Sequence, residues 1–138
     1  MNNYKIKYNE LKTSEFLYLW ESVGNNAPSP EQVELAIKNT LFRVSIYDNN
    51  EIIGMARIIG DKGLCYYIKD VVVLPKYQKQ GIGKKLIEEI LKYVNDNGIK
   101  DTEIFVELCA MPSVIPFYEK LGFAANEAQR LKMMYRVK

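Results

Sequence analysis

The stretch Val71-Val72-Val73-Leu74-Pro75-Lys76-Tyr77-Gln78-Lys79-Gln80-Gly81-Ile82-Gly83-Lys84-Lys85-Leu86 decides the fold. A β-branched run, suited to a pleated surface, stops at a proline that cannot extend a ladder. After a short basic loop, two glycines open a helical pattern. Ile82, Leu86, Ile87, Ile90, Leu91 and Val94 form one apolar stripe, and Asn97-Gly98 ends it. A strand feeding a helix start leaves N–H groups without intrahelical partners, which makes an anion site. The alternative is an ordinary strand-to-helix turn with a solvated basic face.

Upstream, Tyr4 to Tyr8 alternates as a short strand, and Ser14 can cap a helix to about Val23 with Phe16, Leu17, Leu19 and Trp20 on its apolar side. Gly24 to Pro30 is a break. Ser29 then reads as an N-cap and Pro30 as the first residue of a helix to about Asn39. Leu41–Tyr47 and Glu51–Ile59 form a hairpin around Asp48-Asn49-Asn50, and a long strand covers Leu64 to Leu74 after the Gly60–Gly63 turn.

Downstream, Glu103–Leu108 is a strand, Pro112–Leu121 a helix stopped by Gly122, and edge strands follow Phe123, the last near Leu131–Val137. This order predicts a single domain over 1–138 with a three-layer α/β fold. A mixed central sheet of six to seven strands is flanked by about four helices. The first strands are antiparallel, and the two around the Gly81 helix are parallel because a crossover helix requires it.

With 138 residues and a net charge of +2, the chain is long enough for one core. Its basic residues are interleaved with acidic ones, which argues against nucleic acid as the partner. Histidine is absent, which excludes histidine triads and most zinc catalysis; no metal site is expected. Proton transfer then falls to carboxylate, tyrosine, lysine, cysteine or water. Cys65 and Cys109 lack metal-ligand spacing and read as buried free thiols of a reducing, cytoplasmic setting. No signal peptide begins the sequence, and no apolar run nears the roughly 18 residues of a membrane span.

Three phosphate loops compete for the glycines. A Walker A loop needs glycine where Gln78 stands and Ser or Thr where Lys85 stands. A dinucleotide fingerprint needs glycine at Leu86. The third form, Gln/Arg-x-x-Gly-x-Gly/Ala, is met by Gln78-Lys79-Gln80-Gly81-Ile82-Gly83. This segment resembles the loop of the GCN5-related N-acetyltransferase (GNAT) superfamily, which cradles the pyrophosphate of acetyl-coenzyme A. The chemistry agrees: glycines admit close backbone approach, the helix start donates N–H groups, and Lys79, Lys84 and Lys85 add positive charge.

Two further segments carry the resemblance. Ile68-Lys69-Asp70-Val71-Val72-Val73-x-Pro75 is similar to the superfamily's bulged strand, whose free backbone groups pair with the pantetheine arm. A backbone N–H near Val72 is then expected to stabilise the thioester's oxygen. Pro116-Phe117-Tyr118-Glu119-Lys120-Leu121-Gly122-Phe123 resembles the Phe-Tyr-x-x-x-Gly-Phe signature. By that resemblance Tyr118 protonates the departing thiolate, as a phenol within hydrogen-bond distance can. The alternative is a core tyrosine. The cofactor-binding set implied is Val71, Val72, Val73, Gln78, Lys79, Gln80, Gly81, Ile82, Gly83 and Lys84, and the cosubstrate is acetyl-coenzyme A.

The resemblance covers residues 15 to 135. A narrower one joins Val23-Gly24, Leu35, Ile37, Lys38-Asn39-Thr40, Ile53-Gly54-Met55-Ala56-Arg57 and Asp70-Val71. These are similar to the arylalkylamine (serotonin-type) N-acetyltransferases of plants and cyanobacteria and their bacterial relatives, some of which acetylate protein lysines. Asn25 stands where that branch has an aromatic residue, and Met111 where many members carry a cofactor-contacting asparagine.

A protonated amine must lose a proton before it attacks. Asp70, a carboxylate in an apolar run, is the first candidate base, with a salt bridge to Arg57 as the alternative; Glu107 is second, with a solvated face as its alternative. Cys109 offers a covalent route, against which direct attack in a ternary complex suits the architecture better. The leading expectation is therefore an acyltransferase moving acetyl to a primary amine of a small molecule. A protein lysine or N-terminal acetyltransferase and a non-catalytic acyl-coenzyme A module are the alternatives. An exposed last strand could pair across a homodimer.

Overall fold

A computed structural model describes residues 3–124, 133 and 135–136. The chain divides into two compact units, Met1–Leu108 and Cys109–Lys138. The first unit contains β1 (Lys5–Tyr8), α1 (Thr13–Ser22), α2 (Pro30–Lys38), β2 (Phe42–Asp48), β3 (Glu51–Gly60), β4 (Tyr66–Val73), α3 (Ile82–Asn97) and β5 (Val106–Glu107). The second contains α4 (Ile115–Lys120), preceded by a 3₁₀ turn at Pro112–Val114.

The sheet order is β1-β2-β3-β4-β5; the first four strands are antiparallel neighbours and β5 runs parallel to β4. The hairpin turns through Asn49 at φ 55, a left-handed position that asparagine tolerates. Cross-strand partners share a face, which sorts the sheet's two sides. Phe42, Val44 and Ile46 pair with Ile58, Ala56 and Gly54. Helix α3 covers this face, where the Phe42 and Tyr93 rings stack at 4.4 Å. Arg43 and Ser45 pair with Arg57 and Met55 on the other face. There Arg43 Nε donates to Leu11 O at 3.2 Å and Arg57 Nη1 to Thr40 Oγ1 at 3.1 Å, beside the ends of α1 and α2. The first unit is thus three-layered.

The stripe expected of α3 is the one it buries: Ile82, Leu86, Ile87, Ile90 and Val94 are inaccessible, and Leu91 lies at its margin. Each such side chain contributes roughly 1.5–3 kcal/mol relative to exposure. Gly54 admits this helix. A Cβ there would sit 3.0 Å from Ile82 Cγ2 and 3.2 Å from Leu86 Cδ1.

Several expectations need correction. The sheet has five strands among the described residues, not six to seven. The run expected over Glu103–Leu108 pairs only at Val106 and Glu107, because β5 leaves β4 after two register positions. The edge strand expected at Leu131–Val137 lies outside the described residues, apart from Met133, Tyr135 and Arg136. Helix α1 is capped from Lys12 rather than Ser14, since the Lys12 N–H donates to Glu15 Oε1 at 3.0 Å. Ser29 and Pro30 open α2 as expected, with Gln32 N–H donating to Ser29 Oγ at 3.2 Å. The helix expected from Pro112 restarts at Ile115, which leaves Pro116 in a first turn where its missing N–H costs nothing. Both cysteines are exposed, not buried. The four α-helices and the parallel β4–β5 pair agree with the sequence reading.

Candidate active site

Strand β4 carries the site of the first unit. Met55 pairs with Val72 and Arg57 with Lys69, so two intervals of β3 face three of β4. Asp70 absorbs the extra residue at φ 55, in the left-handed region. Its carboxylate accepts from Arg57 Nε at 2.5 Å, with only 10 % and 13 % of the two side chains exposed. Thr40, the far partner of Arg57, donates in turn to Ala36 O at 2.7 Å. The ion pair anticipated as the alternative for Asp70 is present. Thr40 was not singled out for this part, although a threonine just past a helix end is placed to bond that helix's last carbonyls.

The two edges of β4 differ. On the β5 side the ladder stops after Tyr67↔Glu107, while the strand continues to Val73. On the other side Leu74 N–H donates to Ile53 O at 2.8 Å, which fixes the alternation. Leu74 and Val72 turn toward β3; Val73, and Val71 by the same parity, turn their N–H and C=O outward. Gln78 agrees with this assignment, since its Nε2 donates to the outward Val73 O at 3.0 Å. The N–H groups beside Val72 that face away from β3 are thus those of its two neighbours.

The strand runs through a 3₁₀ turn at Pro75–Tyr77 into the loop. Tyr77 Oη donates to Asp48 Oδ2 at 2.6 Å, which raises the phenol's pKa to about 12, and Lys76 Nζ lies 3.4 Å from Glu51 Oε1. These contacts pin the loop to the β2–β3 turn. Gln80 Nε2 donates to Lys76 O at 3.2 Å. Lys79 (φ 62) and Gly81 (φ 86) are both left-handed, and they turn the backbone so that α3 begins with its N–H groups bare. No acidic residue occupies the first turn of α3, and Gly81 caps it without a side-chain bond. The N–H groups of Ile82, Gly83 and Lys84 start α3 without intrahelical acceptors at the end of β4's open edge, and Lys79 and Lys84 are exposed in the same loop and turn.

Tyr118 belongs to the second unit. Its ring meets Phe117 edge-on at 5.0 Å and Phe123 at 5.7 Å, and burial pushes its phenol pKa up. Gly122, at φ 97, makes the turn that brings Phe123 back, with Phe123 N–H donating to Tyr118 O at 3.1 Å. Glu107, the second candidate base, is exposed on β5, and Cys109 is exposed as well.

Strand β4 thus joins an open edge and a bulge to a glycine loop at a helix start. The model of the acetyltransferase (GNAT) family matches residues 7–123, and the chain belongs to that family. Its enzyme class is acyltransferase, and proteins of this family use acetyl-coenzyme A in general. It is similar to a ycf52-like N-acetyltransferase of Prochlorococcus marinus, 30 % identical over 88 % of this chain and 69 % of that one. It also resembles the histone acetyltransferase TAP1 of Glycine max, 32 % identical over 78 % of this chain and 50 % of that one. Among solved structures, protein SA2161 of meticillin-resistant Staphylococcus aureus matches with a TM-score of 0.87 at 30 % identity, covering 97 % of this chain and 99 % of that one. The chain spans 59–69 % of the length of the ycf52-type relatives. Among the described residues, no helix is long and apolar enough to cross a membrane.

Proposed function

We propose that the protein transfers acetyl from acetyl-coenzyme A to a primary amine of a small molecule, by direct attack in a ternary complex. The observation that carries this reading is the open edge of β4, which leads straight into the N-terminal cradle of α3. These residues fit the cosubstrate. The outward backbone groups of Val71 and Val73 suit an amide-bearing arm, and the cationic cradle suits a pyrophosphate.

The bound thioester supplies an acetyl group activated for transfer. Val71 and Val73 offer N–H donors to the charge that grows on its carbonyl oxygen, where fixed dipoles are worth most. Asp70 is the carboxylate that receives the acceptor's proton, with Glu107 as second choice. Tyr118 is the acid for the leaving thiolate. The support for Tyr118 is its motif and a phenol whose raised pKa keeps the proton available at neutral pH. Within the family, the Val23-Gly24, Lys38-Asn39-Thr40 and Gly54–Arg57 segments support kinship with the arylalkylamine branch; Asn25 in place of an aromatic residue supports a smaller or non-aromatic amine. We read residues 1–138 as one functional domain, and its exposed thiols suit a reducing cytoplasm.

A second reading, acetylation of protein lysines, is favoured by the similarity to soybean TAP1. Thiol release from acetyl-coenzyme A, screened against small amines and lysine peptides, separates the two. Tyr118→Phe is expected to lower turnover roughly ten-fold or more with acetyl-coenzyme A affinity kept. Unchanged turnover removes Tyr118 from the mechanism, and release with peptides alone replaces the small-molecule reading.

A further inference from the structure

Arg57 and Thr40 lie off the acyl-binding edge, yet they hold the element that shapes it. Asp70 sits at φ 55 in the middle of a strand, a conformation that persists only where the surroundings enforce it. Its carboxylate is held by Arg57 Nε at 2.5 Å, Arg57 Nη1 reaches Thr40 Oγ1 at 3.1 Å, and Thr40 reaches Ala36 O at 2.7 Å. The bulge of β4 is thereby tied across β3 to the last turn of α2. Arg43 stands directly opposite Arg57 on β2, but it spends its Nε on Leu11 O. The peptide joining Asp70 to Val71 carries the Val71 N–H, so the conformation of Asp70 sets where that donor points.

We propose that Arg57 is a positioning residue for acyl transfer: its ion pair with Asp70 fixes the bulge and aims the Val71 and Val73 N–H groups, and its bond to Thr40 links that aim to the end of α2. This rests on the acetyl-transfer reading above. Donors aimed in advance act on the developing charge rather than on the bound ground state, so the clamp governs turnover more than binding.

The test compares Arg57→Gln, Arg57→Lys and Thr40→Val in the full chain, with whichever amine the screen identifies and with backbone amide NMR of Val71–Val73. Arg57→Gln is expected to lower kcat by about ten-fold or more, leave KM for acetyl-coenzyme A within about three-fold, and move the Val71 and Val73 amide resonances. Arg57→Lys should recover part of kcat, and Thr40→Val should cost about two- to three-fold. Removing Arg57 alone leaves a buried carboxylate unpaired and can prevent folding. The double variant Arg57→Gln/Asp70→Asn leaves no buried charge unpaired and, lacking the ion pair, should show the same displaced amides. Amides that stay put in a folded Arg57→Gln variant, or a KM that rises in step with the fall in kcat, overturn the proposal. A wild-type protein that releases no thiol with any amine or peptide overturns the transfer reading instead, while displaced amides still uphold the clamp.

Discussion

Along its β3 edge, β4 is paired from Tyr66 to Leu74 with one interruption at Asp70; along its β5 edge, pairing ends after Tyr67. Both edges belong to one strand of eight residues, mostly β-branched or aromatic. Unpaired backbone on a strand is a liability that proteins usually cover. Among the described residues it stays open where it meets a lysine-bearing helix start, with Gln78 occupying one outward carbonyl. The paired edge supplies rigidity, and the open edge supplies donors. Substitutions on the open side should therefore change binding or turnover with little effect on stability, and substitutions beneath the paired side should do the reverse.

The harshest test of that division is Gly81→Trp. A Cβ at Gly81 meets nothing within 4 Å, so the fold has room; the φ of 86 and the bulk over the cradle are the obstacles. Acetyl-coenzyme A affinity, measured calorimetrically, should fall on the order of 100-fold, about 2.7 kcal/mol. Folding stability should drop only by the strain of one left-handed residue, about 1–2 kcal/mol. Saturable wild-type binding in this variant would remove the cradle from the site.

Gly54→Val probes the paired side. Its side chain would drive into Ile82 and Leu86, which hold the first turns of α3 on the sheet. Overpacking of this kind costs about 1–3 kcal/mol, which urea unfolding would register. Wild-type stability with weakened cofactor binding would break the comparison, since it would show the α3 contact serving the open edge alone.

Gln78→Ala returns to the open edge with a smaller change. Loss of its bond to Val73 O should lower stability by no more than about 1 kcal/mol and, through the loosened loop, raise KM for acetyl-coenzyme A by about five-fold. A lower midpoint at unchanged KM would make Gln78 a loop brace with no part in binding.

How much of this was legible before the structure differs along the same line. The α3 stripe, the Ser29-Pro30 helix start and the Asn49 turn are local signals, encoded in residues a few positions apart, and they were read with nearly the right bounds. The turn from Gln78–Gly83 into α3 was legible for the same reason, because the glycine spacing is local to the helix start. Strand count was not. Whether Glu103–Leu108 pairs over six residues or two depends on the angle at which β5 leaves β4, and alternation within one strand carries no information about that. The outward parity of Val71 and Val73 was hidden likewise, since a bulge at Asp70 resets which carbonyls face which neighbour. The Arg57–Thr40 link spans three elements far apart in sequence, and only the pairing register brings Arg57 beside Asp70.

The mildest prediction concerns the turn that starts the paired edge. Asp61 Oδ1 accepts the N–H groups of Gly63, Leu64 and Cys65 at 2.9, 2.9 and 3.0 Å, and Asp61 N–H donates to Cys65 O at 3.1 Å. These bonds favour the charged carboxylate, the one from Cys65 most, and lower its pKa below the ordinary aspartate value of about 4. A group whose folded pKa is depressed contributes stability in full above its unfolded pKa and loses it as pH falls through the folded one. Asp61→Ala should therefore lower the thermal midpoint by a constant amount at neutral pH and down to about pH 5, and the gap should close below about pH 4. Acetyl-coenzyme A affinity should not change, because the turn lies at the opposite end of β4 from the cradle. A gap that persists at low pH would mean that the turn depends on the shape of the Asp61 side chain rather than on its charge, and a loss of affinity would mean that the paired edge does not insulate the open one.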